Sequence, residues 1–449
     1  MLCNVVVDEM SIRSQLIIKN DKNYGLVDLG MGSSSSHTSD NSQPNDVDAE
    51  RNDKTPPLAK KSLVFMLVAL NSNWKVPFAY FMVDSIDSQQ QGILITRAFE
   101  LLEEHSIIAR SLTFDGERTN FSTVKLLGAN VDVMSPNFKP YFKHPIKTDE
   151  NVYIFPDPSH MIKNVRNSLG KTMKRNKKGE LLYTAPFKDE FDRKISFECI
   201  EKIVALQTEE GLRAGNKLRD RHVKYEENRM NVRLAVQTLS HSTFAALKYV
   251  QKKYPNKFPV TGTPDYALHF NNAFDILNNN SPFGKTQYMK PINVSTIHDL
   301  EMKAETIINY IKQLKDYNGK NLVSGTKKCG FIGFIICLKN VFSLFRDLNL
   351  KYKLRYLLTK KLLQDHLENF FCCVRMRGGF NDNPNGHQFA CAYRMLVQHH
   401  QVKSLENANC VHIEDVPILS VTVNKKELAD SYVKLETEFL TDLREKFNF

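Results

Sequence analysis

Three acidic residues have the chemistry and the placement of a metal-assisted phosphoryl-transfer site. Asp8 closes the apolar run Cys3–Val7, Asp115 closes Ile107–Phe114, and Glu368 lies far downstream in a helical stretch. An α/β sheet that presents two carboxylates at neighbouring strand ends, with a third on a packed helix, can hold two divalent cations about 3.5–4 Å apart. Such a pair activates a water or hydroxyl nucleophile and stabilises the leaving oxygen. Oxygen ligands suit Mg²⁺, and the lack of a Cys/His cluster argues against zinc. Taken singly, an acid at a strand end is an ordinary surface feature, and composition cannot select three of the 50 Asp and Glu residues.

The elements that must position these acids are legible as alternating patterns. Cys3–Val7 predicts a strand, and Leu16–Ile18 with Gly25–Leu29 a hairpin. Leu63–Leu70 and Val76–Val83 predict two more strands, Gln90–Leu102 a helix, Ile107–Phe114 a strand and Thr119–Leu127 a short helix. Val152–Phe155 predicts a strand that breaks at Pro156-Asp157-Pro158, with Ser159 placed to cap a helix running to Leu169. This is the opening of a mixed α/β sheet. The stretches Phe197–Glu209, Lys224–Ser242, Ala267–Leu277, Glu301–Leu314, Gly330–Leu348, Tyr352–Arg375 and Gln388–Gln398 all carry helical spacing. Beyond Cys410 a short strand, Ile418–Val423, and a last helix near Leu435–Phe447 are expected. The first strand opens almost at Met1, which suggests an upstream domain outside this chain.

Composition bounds the rest. The 449 residues carry a formal charge of +11, with 42% hydrophobic and 25% charged residues, which excludes a disordered, collagen-like or purely coiled-coil chain. The basic balance fits an anionic partner without naming one. Eight dispersed cysteines are too sparse for a secreted disulfide scaffold and point to a reducing compartment. The apolar runs Ser62–Leu70 and Phe331–Leu338 are about half the length a bilayer needs, so no membrane partner is expected. Residues 31–57, Ser-rich at Ser33–Ser36, bury too little to offset ordering entropy and predict a disordered loop.

Four ordered motifs select the acids. Val5-Val-Val-Asp8-Glu9-Met10, Leu112-Thr-Phe-Asp115-Gly116, Phe155-Pro-Asp157-Pro-Ser-His160-Met-Ile-Lys163-Asn-Val-Arg166 and Leu363-Gln-Asp365-His-Leu-Glu368-Asn-Phe-Phe371 together resemble the P element transposase family, which includes domesticated relatives with an N-terminal THAP zinc finger. Met376-Arg-Gly-Gly379-Phe-Asn381-Asp-Asn-Pro384 and Gln388-Phe389 extend the resemblance. It implies an α/β, RNase H-like mixed sheet, interrupted by a mostly helical GTP-binding insertion and followed by a helical C-terminal part. On these motifs Asp8, Asp115 and Glu368 are the implied catalytic acids and ligands of two Mg²⁺ ions. The implied activity is cutting of element ends and joining of the freed 3′ hydroxyl to target DNA. The expected organisation is an RNase H-like first part over 1–180, the insertion over 181–345, the last catalytic helix over 346–380 and a partial C-terminal domain over 381–449.

Within the insertion there is no Gly-x-x-x-x-Gly-Lys-[Ser/Thr] phosphate loop, so Walker-type GTP hydrolysis is not expected. Lys217-Leu, Met230-Asn-Val232-Arg233, Gln237-Thr-Leu-Ser240-His241 and Phe274-Asp275-Ile-Leu-Asn278 resemble the family's GTP-binding insertion. The resemblance places Lys217 at phosphate, Val232 and Ser240 along the nucleotide, Phe274 near the base and Asn278 close by, with GTP an unhydrolysed cofactor. Asp275 suits guanine, since a carboxylate can accept from both N1–H and N2–H₂. Asp365, three residues before Glu368 on the same helix face, is either an acid behind the metal site or a nucleotide contact. Lys163 and Arg166 form an i,i+3 basic pair that could meet phosphates or simply face solvent.

The chain departs from the family by lacking a Cys-x-x-Cys finger before Asp8 and a heptad run. The expected partners are DNA (element ends and target, or non-specific duplex) and a second copy of the chain, with a nuclear location. The basic run Lys171–Lys178 could serve as a nuclear signal or a DNA-contacting loop. The alternatives are a truncated or domesticated derivative that binds DNA or protein without chemistry, and a helical GTP-binding module scaffolded by the sheet.

Overall fold

The computed structural model describes residues 1–19, 22–29, 56–175, 181–183, 186–211, 215–325 and 328–399. Nearly all of the predicted 31–57 loop, the end of the basic run and the predicted elements beyond Cys410 lie outside the described residues. A six-stranded mixed sheet carries the fold. Its strands are β1 (Leu2–Ser11), β2 (Lys61–Ala69), β3 (Lys75–Val83), β4 (Ile108–Phe114), β5 (Tyr141–Lys143) and β6 (Asn151–Pro156), in the order β3-β2-β1-β4-β6-β5. β1, β2 and β3 pair antiparallel, while β1, β4 and β6 run parallel to one another. The edge strand β5 has three residues, too short for its period to show in the sequence.

Alternation along β1 and β2 sends side chains to two cores. Val5, Val7, Phe65 and Leu67 join the larger core, with residues of α1 (Ser88–Glu104), α3 (Pro158–Gly170) and α10 (Cys329–Tyr352). Val6, Met10, Val64 and Met66 join a second core on the other face, closed by α11 (Asp365–Arg377) and α12 (Gly386–His399). Helix α2 (Arg118–Leu126) follows β4. The intervening region is helical as expected, built from α4 (Glu198–Glu210), α5 (Asp220–Val223), α6 (Val232–Thr238), α7 (His241–Lys253), α8 (Thr263–Leu277) and α9 (Ile297–Gln313).

Four local expectations change. Lys224–Ser242 is not one helix: Ser240 Oγ accepts the Thr243 N–H at 3.2 Å and starts α7 afresh. Tyr352–Arg375 is interrupted too, because Lys353 adopts φ 57° and ends α10, and a 3-10 turn over Thr359–Leu362 precedes α11. Asp157 rather than Ser159 caps α3, accepting the His160 N–H at 2.9 Å. The early hairpin pairs Ile17–Lys19 with Lys22–Tyr24, ahead of the expected second strand.

Helix α10 has 24 residues and is apolar enough in length and composition to cross a membrane, yet most of it is buried inside the protein. It packs on α3 and β6. The close crossing depends on a missing Cβ: one built at Gly333 would lie 2.1 Å from Met161 Sδ on α3. At the sheet end away from Asp8, Arg110 is 3% exposed and bonds Glu150, and Glu103 at 3.0 Å, while the Tyr352 hydroxyl donates to Glu150 at 2.9 Å. This cluster ties α1 and the end of α10 to β4 and β6. Burial alone would raise the Glu150 carboxyl, but the Arg110 and Tyr352 hydrogen bonds bring it down to about 2 from 4.5. A depressed folded-state value stabilises above the unfolded value and is lost as pH falls through the folded one. The denaturant midpoint of the wild type should therefore fall between about pH 4.5 and 2 more steeply than that of Glu150→Gln; equal slopes would assign the cluster no role in acid stability.

Candidate active site

Strand register brings the two aspartates together. Val6 lies opposite Thr113 in the parallel β1–β4 pair, and two further steps along each strand place Asp8 beside Asp115. Adjacent strands lie about 4.8 Å apart, so the two carboxylates sit at one sheet end with little between them. Asp8 Oδ1 accepts the Glu9 N–H at 2.8 Å. Asp115 Oδ1 accepts the Glu117 N–H at 2.9 Å and Asn120 Nδ2 at 2.6 Å. One oxygen of each carboxylate is thereby oriented by its own chain.

Glu368 arrives through the lead-in to α11. Gln364 Nε2 donates to Val7 O at 2.9 Å, Thr113 Oγ1 donates to Leu362 O at 2.8 Å, and Asn4 Nδ2 reaches Lys361 O at 3.3 Å. Residues 361–364 are thus strapped across the ends of β1 and β4, and Glu368 follows one helical turn later. Burial is the largest influence on Asp8 and pushes its carboxyl well above the usual range; the Asp115 and Glu368 charges add to this while His160 opposes it. Like charges converge on one half-buried point. An all-oxygen donor set under mutual repulsion fits a hard divalent cation. Among the described residues no three His, Cys, Asp or Glu side chains stand close enough to hold an ion as they are, and Glu368 Oε1 instead faces His160 Nε2 at 3.8 Å.

Asp157 is the joint of the site. Its side chain is fully buried; Oδ2 accepts His160 N at 2.9 Å and meets His160 Nδ1 at 3.1 Å, and Oδ1 accepts Gln364 N at 2.9 Å. One carboxylate therefore holds the start of α3 to the start of α11. Burial would lower His160, but the Asp157 hydrogen bond and charge raise it to about 9. Next to this joint, Asp365 is buried; Oδ1 accepts Ser159 Oγ at 3.2 Å and Oδ2 has no hydrogen-bond partner among the described residues. Burial, then the Asp157 and Glu368 charges, push Asp365 up to about 7.

The residues implied for the nucleotide fall into four places. Ser240 and Asp275 meet through one chain of contacts: Asn271 accepts His241 N at 3.1 Å and donates to Asp275 Oδ2 at 2.9 Å. Burial first, against Asn271 and His241, raises Asp275 to about 6. Val232 and Phe274 are sealed in the apolar core. Lys217 is exposed on a loop joined to α6 through the His222–Gln237 contact of 2.9 Å. Asn278 Oδ1, at the end of α8, is buried with no hydrogen-bond partner among the described residues. Its neighbour Asn279 bonds Thr359 Oγ1 at 2.9 Å and Lys360 N at 3.1 Å, so the turn leading to Asp365 and Glu368 begins on the end of α8.

Arg166 is no part of a solvated basic face. It is fully buried and donates to Asn167 Oδ1 and to the Asn228 and Arg229 carbonyls, docking the insertion onto α3. Sequence reasoning did not reach Thr359 and Gln364, whose roles come from contacts with residues 80 to 357 positions away.

Comparison with known proteins agrees with this arrangement. Residues 1–128 match the TNP-like RNase H N-terminal domain, 159–291 the TNP-like GTP-binding insertion domain, and 361–394 the TNP-like RNase H C-terminal domain. The chain belongs to the P element transposase family. It is 24% identical over 434 residues to the human DNA transposase THAP9, covering 95% of this chain and 44% of that protein. It is 23% identical over 295 residues to the Drosophila melanogaster transposable element P transposase, covering 64% of this chain and 36% of that protein. The chain thus spans less than half the length of the curated relatives it matches. In fold it is similar to the Drosophila P element transposase strand transfer complex, with a TM-score of 0.67, 18% identity, and coverage of 88% of this chain and 76% of that one. The RNase H-like mixed sheet and the GTP-binding insertion domain expected for the family are present.

The Asp157 joint generates a stability test. Asp157→Ala leaves a buried imidazolium and the Gln364 N–H unpaired, and should cost about 3–5 kcal/mol in chemical denaturation. A loss below about 1 kcal/mol would show that α3 and α11 are held together by something else.

Proposed function

We propose that this chain is the core of a nuclear DNA transposase that cuts element ends and joins the freed 3′ hydroxyl to target DNA, with GTP as an unhydrolysed cofactor. The observation that carries the reading is the side-by-side register of Asp8 in β1 and Asp115 at the end of β4, with the approach to Glu368 strapped over the same strands by Gln364 and Leu362. Two Mg²⁺ ions held by Asp8, Asp115 and Glu368 would activate the attacking oxygen and stabilise the leaving one. The chain's own part is to bring Asp8 and Asp115 side by side through β-sheet register and to keep the Glu368 helix within reach through the strap and the Asp157 joint, with Glu368 turning from His160 to the ions. The net charge of +11 supports sequence-independent attraction to phosphates. A second copy of the chain would be needed to act on two element ends together.

In the same reading the Asp275 carboxylate receives the guanine N1–H and N2–H₂, near the N-terminus of α7, whose partial positive charge favours phosphate. Burial and the Asn271 hydrogen bond hold it in place for that contact.

Two measurements test the proposal. Glu368→Gln and Asp115→Asn should each lower Mg²⁺-dependent strand transfer of pre-cleaved ends by at least about a hundredfold, with duplex affinity within about twofold of wild type. Retained duplex binding with no chemistry in the wild type under Mg²⁺ or Mn²⁺ would favour a non-catalytic derivative. Asp275→Asn should weaken GTP by roughly 10–100-fold and favour xanthosine triphosphate, whose edge complements an amide; unchanged nucleotide preference would remove Asp275 from the base.

A further inference from the structure

The loop between α11 and α12 holds an aromatic ring where packing gives no reason for one. Phe380 is 75% exposed. Its backbone sits at φ 59°, in the left-handed region that a bulky side chain rarely adopts. Among the described residues only Ser106, Asp192 and Lys353 share that region without being glycine, and none of them is aromatic. The conformation costs free energy, and an exposed ring recovers little of it by burial. Glycine would hold the same turn without strain, as Gly379 does next door at φ 70°.

The loop is fastened on both sides of the ring. Gly378, Gly379 and Asn381 donate their backbone N–H groups to Arg375 O, Met376 O and Arg375 O at 3.2, 3.1 and 3.1 Å. Further on, Asn385 N donates to Gln388 Oε1 at 3.0 Å, and Gln388 N donates to Asn385 Oδ1 at 2.9 Å. Arg13 N donates to Pro384 O at 2.9 Å, which ties the loop to the chain just past the end of β1. Asp8 lies five residues before Arg13, a span of at most about 18 Å. The loop therefore stands beyond the carboxylate end of the sheet, within about five base-pair steps of the acids. Its surroundings are basic: Arg375 and Arg377 end α11, Arg13 is exposed, and Asp382 is the only acid between Asn369 and Phe389.

We propose that Phe380 is a DNA contact that stacks its ring on a nucleobase a few steps from the reacting phosphate. A planar apolar ring among cations matches a nucleic-acid strand, where charged phosphates flank flat base faces. Every base has such a face, so the contact steadies the strand without reading its sequence. The base comes either from a single strand or from a duplex step that the ring wedges open. This rests on reading the chain as a DNA transposase core. It goes beyond that reading by assigning a strand-positioning residue outside the three acids and the nucleotide contacts.

The test uses the whole chain with a single strand of about 20 nucleotides and a duplex of about 30 base pairs. Phe380→Ala should weaken at least one of them fivefold or more, the low end of what an aromatic–base stack contributes. The salt slope should not change, because no phosphate contact is lost. Phe380→Trp should stay within about twofold of the wild type. An abasic site scanned along the weakened DNA should cost the wild type a similar factor at one position and cost Phe380→Ala nothing there. A loss with the single strand alone assigns an unpaired base, and a loss with the duplex assigns a wedge between base pairs. Phe380→Gly should melt at or above the wild-type temperature, since it relieves the left-handed strain. Equal affinities of the wild type and Phe380→Ala for both DNAs overturn the proposal; a fall in melting temperature or in dimerisation alongside them would give the ring to packing or to a protein contact instead. A wild type that binds neither DNA sinks this contact and the function above together. Binding that depends on Phe380, without strand transfer under Mg²⁺ or Mn²⁺, overturns the transposase chemistry alone and leaves the stacking contact in place.

Discussion

Parallel pairing of β1 with β4 sets Asp8, within β1, beside Asp115, just past the end of β4, and two carboxylates so placed repel each other. Much of the surrounding structure can be understood as holding that unfavourable arrangement still. The strands are buried on both faces, so neither can slip by a residue without moving its whole apolar set to the wrong core. Burial first, with the Asp115 and Glu368 charges adding to it, holds the Asp8 carboxyl above its usual range. A rigid scaffold with like charges at its mouth gains most from a divalent cation, and that is the physical basis for reading the site as metal-dependent.

Asp157 and the strap over residues 359–364 extend the constraint to distant parts of the chain. Asp157 joins α3 to α11, Gln364 and Leu362 anchor the strap on β1 and β4, and Thr359 anchors its beginning on α8. Thr359 Oγ1 donates to Ile276 O at 2.8 Å and accepts Asn279 N at 2.9 Å, so the end of α8 and the approach to Glu368 share one buried hydroxyl. The insertion is therefore no loosely tethered appendage. Arg166 adds a second dock, with its guanidinium on the Asn228 and Arg229 carbonyls. Such buried hydrogen-bond networks give the two parts a defined relation.

Membership of the P element transposase family places these contacts in a chain that spans less than half of its curated relatives. The parts it spans are coherent: a sheet, an insertion and a closing helix, each matching a distinct family domain. The unsatisfied Asn278 and Asp365 oxygens both lie on the elements where insertion and sheet meet.

Local patterns in the sequence were enough for the strands, most helices and the three acids, because strand alternation, helical spacing and ordered motifs are read within short windows. Ser240 and Lys353 show where such windows failed: apolar spacing continued through both breaks, and only capping and a left-handed residue stopped the helices. What the linear chain could not reveal was set by partners distant along it. Arg166 looked like half of a basic face until the insertion folded over it, and Asp157 looked like a turn residue until Gln364 came within hydrogen-bonding reach. The identity of the acids belongs to the sequence, while burial, charge convergence and the joints between helices exist only once remote segments pack, because desolvation and hydrogen-bond geometry are properties of the assembled interior.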